Sequence, residues 1–187
     1  MRHSSPHNRI LSLDIRSKTI AYAVFEDFAH LLDFGVSGSR QDSFQAARVE
    51  KLVRKFQPDV IVLSGAPRGS TRDTPSVRAG IKSIRSRARR LFVPVLSIGR
   101  HSVVETFGRH CKPTKYPIAV LIASSFPALT WYVPCKRKIY MPEDRRMQYF
   151  DATAVGLTYY ATNGDAEGVH QLLARVESSP RPLTSGA

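Results

Sequence analysis

The pattern of apolar and polar positions near the N-terminus predicts three neighbouring β-strands. Residues 9–15 and 19–25 are two apolar runs separated by only three polar residues, 16–18. A link this short joins antiparallel strands, so the two runs are expected to form a hairpin. A third strand is predicted at 30–36, where the next apolar run ends at a polar segment that contains glycine.

Along the rest of the chain, apolar residues fall either at helical spacing or in short continuous runs. The predicted elements are a helix over 44–56, a strand over 59–64, a helix over 76–91, a strand over 93–98, helices over about 101–107 and 116–125, and a last long helix over 147–162. Residues 126–144 are predicted to be irregular. This order indicates an α/β domain with helices on the faces of a mixed central sheet, antiparallel at first and parallel later.

The chain has the length of one domain with a substantial hydrophobic core. Of its 187 residues, the polar residues 1–8 are predicted to be disordered. Residues 9–162 form the predicted domain. Residues 163–187 are expected to hold a weakly amphipathic C-terminal helix and a disordered tail.

The balance of charges points to a polyanionic partner. Lys and Arg number 28 against 15 Asp and Glu, which gives a formal net charge of +13. Such a surplus attracts phosphate-rich polymers, so nucleic acid is the expected partner and a membrane surface the weaker alternative. A basic surface that serves only solubility is the third interpretation.

Cysteine usage and hydropathy indicate an intracellular protein. The two cysteines, Cys111 and Cys135, form no regular motif, so neither a disulfide framework nor a zinc site is predicted. No stretch resembles a secretory signal or a membrane-spanning helix. The expected location is the cytoplasm, in association with the nucleoid if the protein binds DNA.

Two groups of basic residues are the candidate contacts to nucleic acid. The first recurs at intervals of three and four residues on the predicted helix 76–91 and therefore shares one helix face: Arg78, Lys82, Arg85 and Arg89. The second precedes the last helix: Lys136, Arg137, Lys138, Arg145 and Arg146. Contacts of this kind bind phosphates without reading bases, which favours structure-selective over sequence-specific binding. Nearby aromatic residues are candidates for stacking on bases or for the core: Trp131, Tyr132, Tyr140 and Tyr149.

Two acidic residues occupy positions where the pattern otherwise predicts a core. Asp14 ends the first apolar strand, at the sheet edge where ligands gather in α/β folds, although capping of the following turn is an equally good use for it. Asp151 lies within the apolar stripe of the last helix. Because a buried carboxylate needs a partner, the two acids together suggest one site that holds a divalent cation such as Mg²⁺.

Three motifs, in the same order along the chain, resemble those of the RuvC-like Holliday-junction resolvases of the RNase H-like superfamily. "LSLDIRSKTIAYAVFE" resembles the family's first hairpin, in which an Asp closes strand one, and "FDATAVGLTYY" resembles its final, Asp-bearing helix. "PVLSIGRHSVVETFG" resembles a strand and helix between them. The resemblance covers residues 9–162 and implies an RNase H-like fold, Mg²⁺ or Mn²⁺ as cofactor, and Asp14 and Asp151 as catalytic metal ligands.

The sequence departs from the family pattern at two of its four acidic positions. The Glu expected after the fourth strand falls at Ser64 or Gly65, and the acid one turn before Asp151 falls at Gln148. Asp144 is a candidate replacement because it shares a helical face with Asp151 if the last helix starts early; Glu143 and Asp73 are the others. Glu143 and Asp144 also suit the N-terminus of a helix without any role in a site.

Three hypotheses follow from the resemblance and the charge. The leading one is a metal-dependent endonuclease that hydrolyses phosphodiesters in branched or structured DNA. The second is a catalytically degenerate RNase H-like domain that binds nucleic acid or a protein partner without cutting. The third is an RNA-processing nuclease of the same fold, because phosphate contacts alone do not separate DNA from RNA. The resemblance also allows a homodimer, which suits a two-fold symmetric junction.

Overall fold

The apolar runs near the N-terminus form three antiparallel strands in the computed structural model. The structure describes residues 9–38, 42–65, 73–136 and 142–175. Strands β1 (Ile10–Ile15) and β2 (Thr19–Asp27) form the predicted hairpin. Strand β3 (His30–Gly38) pairs antiparallel with β2. The three-residue link therefore joins two antiparallel strands, as predicted.

Two parallel strands complete a five-stranded sheet. β4 (Val60–Gly65) pairs parallel with β1, and β5 (Val95–Gly99) pairs parallel with β4. The strand order is β3-β2-β1-β4-β5. The mixed sheet predicted from the sequence is confirmed, and it places the carboxyl end of β1 in the middle of the sheet.

Six α-helices in the described residues cover the sheet, close to the predicted bounds. They are α1 (Asp42–Phe56), α2 (Pro75–Arg90), α3 (Arg100–Gly108), α4 (Lys115–Ser125), α5 (Met147–Thr162) and α6 (Ala166–Ala174). A short 3₁₀-helix (Pro127–Tyr132) lies in the segment predicted to be irregular, where it buries Leu129 completely. None of the helices in the described ranges is long and apolar enough to cross a bilayer.

The sheet separates two hydrophobic layers. On one face, Leu13 and Ile15 of β1 pack with apolar residues of α1 and α2. On the other face, apolar residues of α3 to α6 form the larger layer. Because side chains alternate along a strand, Ser12 and Asp14 point to this second face. Asp14 therefore lies on the side of the sheet that α5 covers.

Helix α5 is the central helix of the larger layer. Every residue from Ala152 to Tyr160 is buried, because the sheet covers one side of the helix and neighbouring helices cover the others. Burial therefore extends around the helix and is not confined to the single apolar stripe that the sequence predicts. Gly156 brings the helix close to the sheet: a Cβ atom at this position would lie 2.5 Å from the ring of Phe25 and 3.0 Å from the hydroxyl of Ser12.

The predicted C-terminal segment contains a helix that packs on the domain. Within the predicted C-terminal segment, α6 buries Val169 and Leu173 completely in the larger layer. Residues 1–8 and 176–187, where disorder is predicted, lie outside the described residues. The two cysteines, Cys111 and Cys135, are not joined by a disulfide.

Candidate functional site

Asp14 is held at the carboxyl end of β1, in the middle of the sheet. It lies opposite Ala21 in the register of the β1–β2 hairpin, and its side chain is only 2% exposed. The Nε atom of Arg16 donates a hydrogen bond to Asp14 Oδ2 at 3.0 Å. Arg16 is the first residue of the turn after β1, and its backbone N–H donates to the Thr19 carbonyl. The turn and the ion pair together hold the Arg16 side chain at the carboxyl end of β1.

Helix α5 brings Asp151 to the same guanidinium group. Arg16 Nη2 donates to Asp151 Oδ2 at 2.6 Å, and the Asp151 side chain is 13% exposed. Asp14 and Asp151, which the sequence predicts to share a site, therefore lie beside the same guanidinium group, because α5 packs over the end of β1. They meet through a cationic side chain that the sequence analysis did not consider.

Two further side chains complete the cluster. Glu143, just before α5, accepts a hydrogen bond from Arg16 Nη1 at 3.2 Å. Lys115, the first residue of α4, contacts Glu143 and donates to Asp151 Oδ2 at 3.1 Å. We call these five residues the carboxylate site: Asp14, Arg16, Lys115, Glu143 and Asp151.

Opposite charges nearly balance within the carboxylate site. Three carboxylates face one guanidinium and one ammonium group, so the formal sum is −1. Burial alone would lower the pKa of Arg16, but the carboxylate of Asp14, followed by those of Asp151 and Glu143, outweighs it and raises the pKa above its ordinary value. Arg16 therefore remains a cation, and its fork of N–H donors suits several carboxylates at once.

The remaining two acidic positions of the resolvase pattern are occupied by neutral residues here. Leu63 pairs with Leu13, so Ser64 lies level with Asp14 on the neighbouring strand. Gln148 is 3% exposed, and its Oε1 accepts a 2.6 Å hydrogen bond from the Thr19 hydroxyl. Neither residue supplies negative charge to the site.

The donor set does not fit a divalent-cation site as it stands. In the described part of the chain, no group of three or more His, Cys, Asp or Glu side chains is placed so that it could hold a metal ion. Mg²⁺ requires short, near-octahedral oxygen contacts, usually from carboxylates and water. In the carboxylate site, Arg16 and Lys115 instead supply the positive charge between the acids.

Asp144 does not join the carboxylate site. Its carboxylate pairs with Arg146, with Nη2 and Oδ2 separated by 2.7 Å. The side-chain hydrogen bond from Arg146 is the main cause of the lowered pKa of Asp144. Glu143, one residue earlier, reaches the cluster instead. The helix-face argument for Asp144 fails because α5 begins only at Met147.

The first group of basic residues forms one exposed face of α2, as the spacing predicts: Arg78, Lys82, Arg85 and Arg89. We call this group the α2 stripe. The opposite face of the helix buries Val77, Ile84 and Ala88. Thr74 caps the start of the helix: its hydroxyl accepts a hydrogen bond from the Val77 N–H.

The second basic group is only partly described. Lys136, Arg145 and Arg146 are exposed, whereas Arg137 and Lys138 lie outside the described residues, as does Tyr140. Two of its nearby aromatic residues, Tyr132 and Tyr149, pack edge-on against Phe34 and belong to the larger layer. Trp131 is 89% exposed and remains available for stacking.

Sequence reasoning missed Arg16 and Lys115, for different reasons. Arg16 carries a usable signal, because residues two apart in a strand point to the same face and Arg16 follows Asp14 at that distance. Lys115 carries none, because its contact with the site depends on how α4 packs against α5.

Comparisons with solved structures identify the fold. RuvC of Thermus thermophilus aligns with a TM-score of 0.61 and 16% identity, over 83% of this chain and 96% of RuvC. T. thermophilus RuvC in complex with Holliday junction substrate gives a TM-score of 0.60 and 17% identity over 84% and 97%. The yeast mitochondrial Holliday junction resolvase Ydc2 gives 0.53 and 16% over 92% and 81%. No family model and no curated protein sequence matches the chain. The chain therefore has the RuvC-like RNase H fold.

Proposed function

We propose that the chain is a nucleic-acid-binding domain that recognises branched or structured DNA without cutting it. The observation that carries this proposal is the placement of Arg16 and Lys115 among the three acids of the carboxylate site. The positive charges of Arg16 and Lys115 thus lie at the carboxyl end of β1, where the resemblance predicts a metal ion. The degenerate-domain hypothesis thus becomes the first candidate.

Replacing these cations by a metal ion would be costly. Arg16 contacts all three carboxylates, and Asp14 is almost fully buried. A metal ion could take these carboxylate oxygens only after Arg16 and Lys115 had left them. A divalent ion that entered beside Arg16 would also be repelled by it. The site therefore favours its internal ion pairs over a bound metal.

Binding to nucleic acid is supported by charge and by fold. The net charge is +13, and the α2 stripe presents four basic side chains on one exposed face. RuvC, whose fold this chain shares, has been solved in complex with Holliday junction substrate. We propose that this chain also binds branched DNA. RNA is the alternative polymer, because phosphate contacts are common to both.

A metal-dependent endonuclease is the second candidate. It is favoured by the convergence of Asp14, Glu143 and Asp151 on one guanidinium group at the carboxyl end of β1. Activity of this kind would require Arg16 to leave the carboxylates before Mg²⁺ or Mn²⁺ could use them.

One experiment separates the two candidates. Wild type, the Asp14→Asn/Asp151→Asn double variant and the control Asp144→Asn are titrated with Mg²⁺ and Mn²⁺ by calorimetry and incubated with a four-way DNA junction. Binding to the junction is measured in EDTA. We expect wild type to bind the junction in EDTA, to give no heat of metal binding and to leave the DNA uncut.

The contrary outcomes are equally clear. Metal-dependent cutting by wild type and by Asp144→Asn, lost in the double variant, would establish the endonuclease. Absence of junction binding at low salt would refute both candidates, since both require the basic surface to hold DNA.

A further inference from the structure

Phe92 occupies an unusual backbone and solvent position at the end of α2. Its φ angle is +56°, in the left-handed region that glycine normally fills after a helix. The Phe92 N–H donates to the Arg89 carbonyl, and the Val93 N–H donates to the Ala88 carbonyl, which closes the helix end. The side chain is 94% exposed. A residue with a Cβ atom is strained in this conformation, and an exposed ring gains nothing from the core.

Basic side chains surround this ring. A groove of about 450 Å³ is lined by Phe92 together with Arg85, Arg89 and three residues leading into β5. A second groove, of about 510 Å³, contains all four members of the α2 stripe and so shares Arg85 and Arg89 with the first. The ring thus stands at one end of a continuous basic surface.

The other end of this surface lies near the carboxylate site. Ser76, in the first turn of α2, donates to the Ser17 carbonyl at 3.5 Å. Ser17 follows Arg16 in the turn between β1 and β2. From Arg78 to Arg89 the helix rises about 16 Å at 1.5 Å per residue.

We infer that the α2 stripe and Phe92 form a binding site for an unpaired nucleic-acid strand, in which the basic residues hold phosphates and Phe92 stacks on a base. This inference rests on the proposed function and adds the part of the nucleic acid that this surface takes. A flat aromatic ring beside cations suits unpaired bases, whose faces are accessible, whereas the bases of a duplex are stacked on each other. Branched DNA offers such bases where its arms meet.

Charge selects this occupant over a second copy of the chain. Another copy also carries a net charge of +13 and would be repelled by the α2 stripe. Of the four basic residues, Arg78 pairs with Asp73, and Arg85 donates to the hydroxyl of Ser97, a neutral partner that leaves its charge in place. The surface therefore retains a strong attraction for a polyanion.

The test compares Phe92→Gly with wild type in EDTA, using fluorescence anisotropy of a labelled dT20 oligonucleotide and a blunt 20-base-pair duplex at three salt concentrations. We expect the variant to bind dT20 on the order of ten-fold more weakly or worse, because one stacked base is lost. Duplex affinity should change less than two-fold. The salt dependence of dT20 binding should stay the same, since no phosphate contact is removed.

Phe92→Gly should also remain folded, so that a loss of strand binding cannot be attributed to unfolding. Glycine relieves the strained backbone, so the melting temperature should stay level or rise by about 2–4 °C while strand binding falls. Phe92→Tyr should retain binding to dT20, because it keeps the ring. Leu32→Ala is the control, as it removes an exposed apolar side chain on β3, at the opposite end of the sheet from β5, and should leave dT20 binding unchanged.

Several results would overturn the inference. Unchanged dT20 binding in Phe92→Gly would remove the stacking role, and an equal loss on duplex would remove the preference for unpaired strands. Phe92-dependent binding to vesicles of phosphatidylglycerol, with no binding to dT20, would assign the surface to a membrane. If wild type binds the four-way junction but not dT20, only this inference fails. If it binds neither, the proposed function fails as well.

Discussion

Replacing Arg16 by Met tests whether the guanidinium compensates the buried charge of Asp14. The change keeps an unbranched side chain but removes the guanidinium group and with it all three ion pairs. Lys115 still faces Glu143 and Asp151, so Asp14, with a 2% exposed side chain, loses the most. A buried charge left without its partner costs about 3–5 kcal/mol. For a domain of this size, that lowers the melting temperature by roughly 6–20 °C.

Acidification should reduce this deficit. In Arg16→Met, protonation of Asp14 removes a buried charge that has lost its Arg16 ion pair, whereas in wild type it would break that favourable pair. The stability difference between the two proteins should therefore shrink as the pH falls from about 7 towards about 4, near the ordinary range of aspartate titration. Adding Asp14→Asn to Arg16→Met should recover much of the loss at neutral pH, because the buried charge itself is gone.

The measurement is urea unfolding followed by circular dichroism at several pH values. Arg146→Met is the matched control: it breaks the exposed pair with Asp144, which solvent screens, so stability should change little. A loss of less than 1 kcal/mol in Arg16→Met, or a loss that stays constant over the pH range, would refute the argument that Arg16 is the internal counter-ion of Asp14.

Two further predictions concern packing and pH. Gly156→Ala should destabilise the fold by about 1–2 kcal/mol in urea unfolding, because overpacking against fully buried Phe25 costs more than the roughly 1 kcal/mol gained in helix propensity. Gly108→Ala is the helical control: a Cβ atom there meets only Pro113, at 4.0 Å, so stability should stay level or rise by up to about 1 kcal/mol. Burial, with the neighbouring His110, lowers the pKa of His170, so the unfolded chain takes up the proton first and stability should fall as the pH drops below about 6.5. Thermal melts between pH 5 and pH 8 should show this loss in wild type and a smaller one in His170→Gln; equal slopes would contradict it.

The sequence predicted the fold well because its signals are local. Apolar periodicity located the elements of the sheet and helices, and the short link at 16–18 fixed the antiparallel start. The pairing of Asp14 with Asp151 at one place also followed from local patterns, a strand end and a helix face. What the pattern could not give was the covering of α5 on all sides, which depends on tertiary packing rather than on its own periodicity.

The composition of the carboxylate site was harder to predict. Choosing between Glu143 and Asp144 depended on where α5 begins, and helix ends are poorly defined by apolar spacing. Lys115 reaches the site from a different helix, so no spacing pattern in the sequence predicts its contact with the acids. Phe92 lies in a turn, where an exposed aromatic residue with a positive φ angle leaves no periodic trace.

The ion pairs of Arg16 also bear on how long the folded molecule lasts. They join a turn near the start of the chain to Glu143 and Asp151, which lie 127 and 135 residues away in sequence. Contacts between such distant residues form late, after the sheet and α5 have met, since closing long loops costs entropy that earlier contacts must first offset. Loss of Arg16 should therefore accelerate unfolding far more than it slows folding, and a chevron plot should show the change in its unfolding arm. Arg16, a member of the carboxylate site, is thus expected to lengthen the lifetime of the native state as well as to balance the charge of the site.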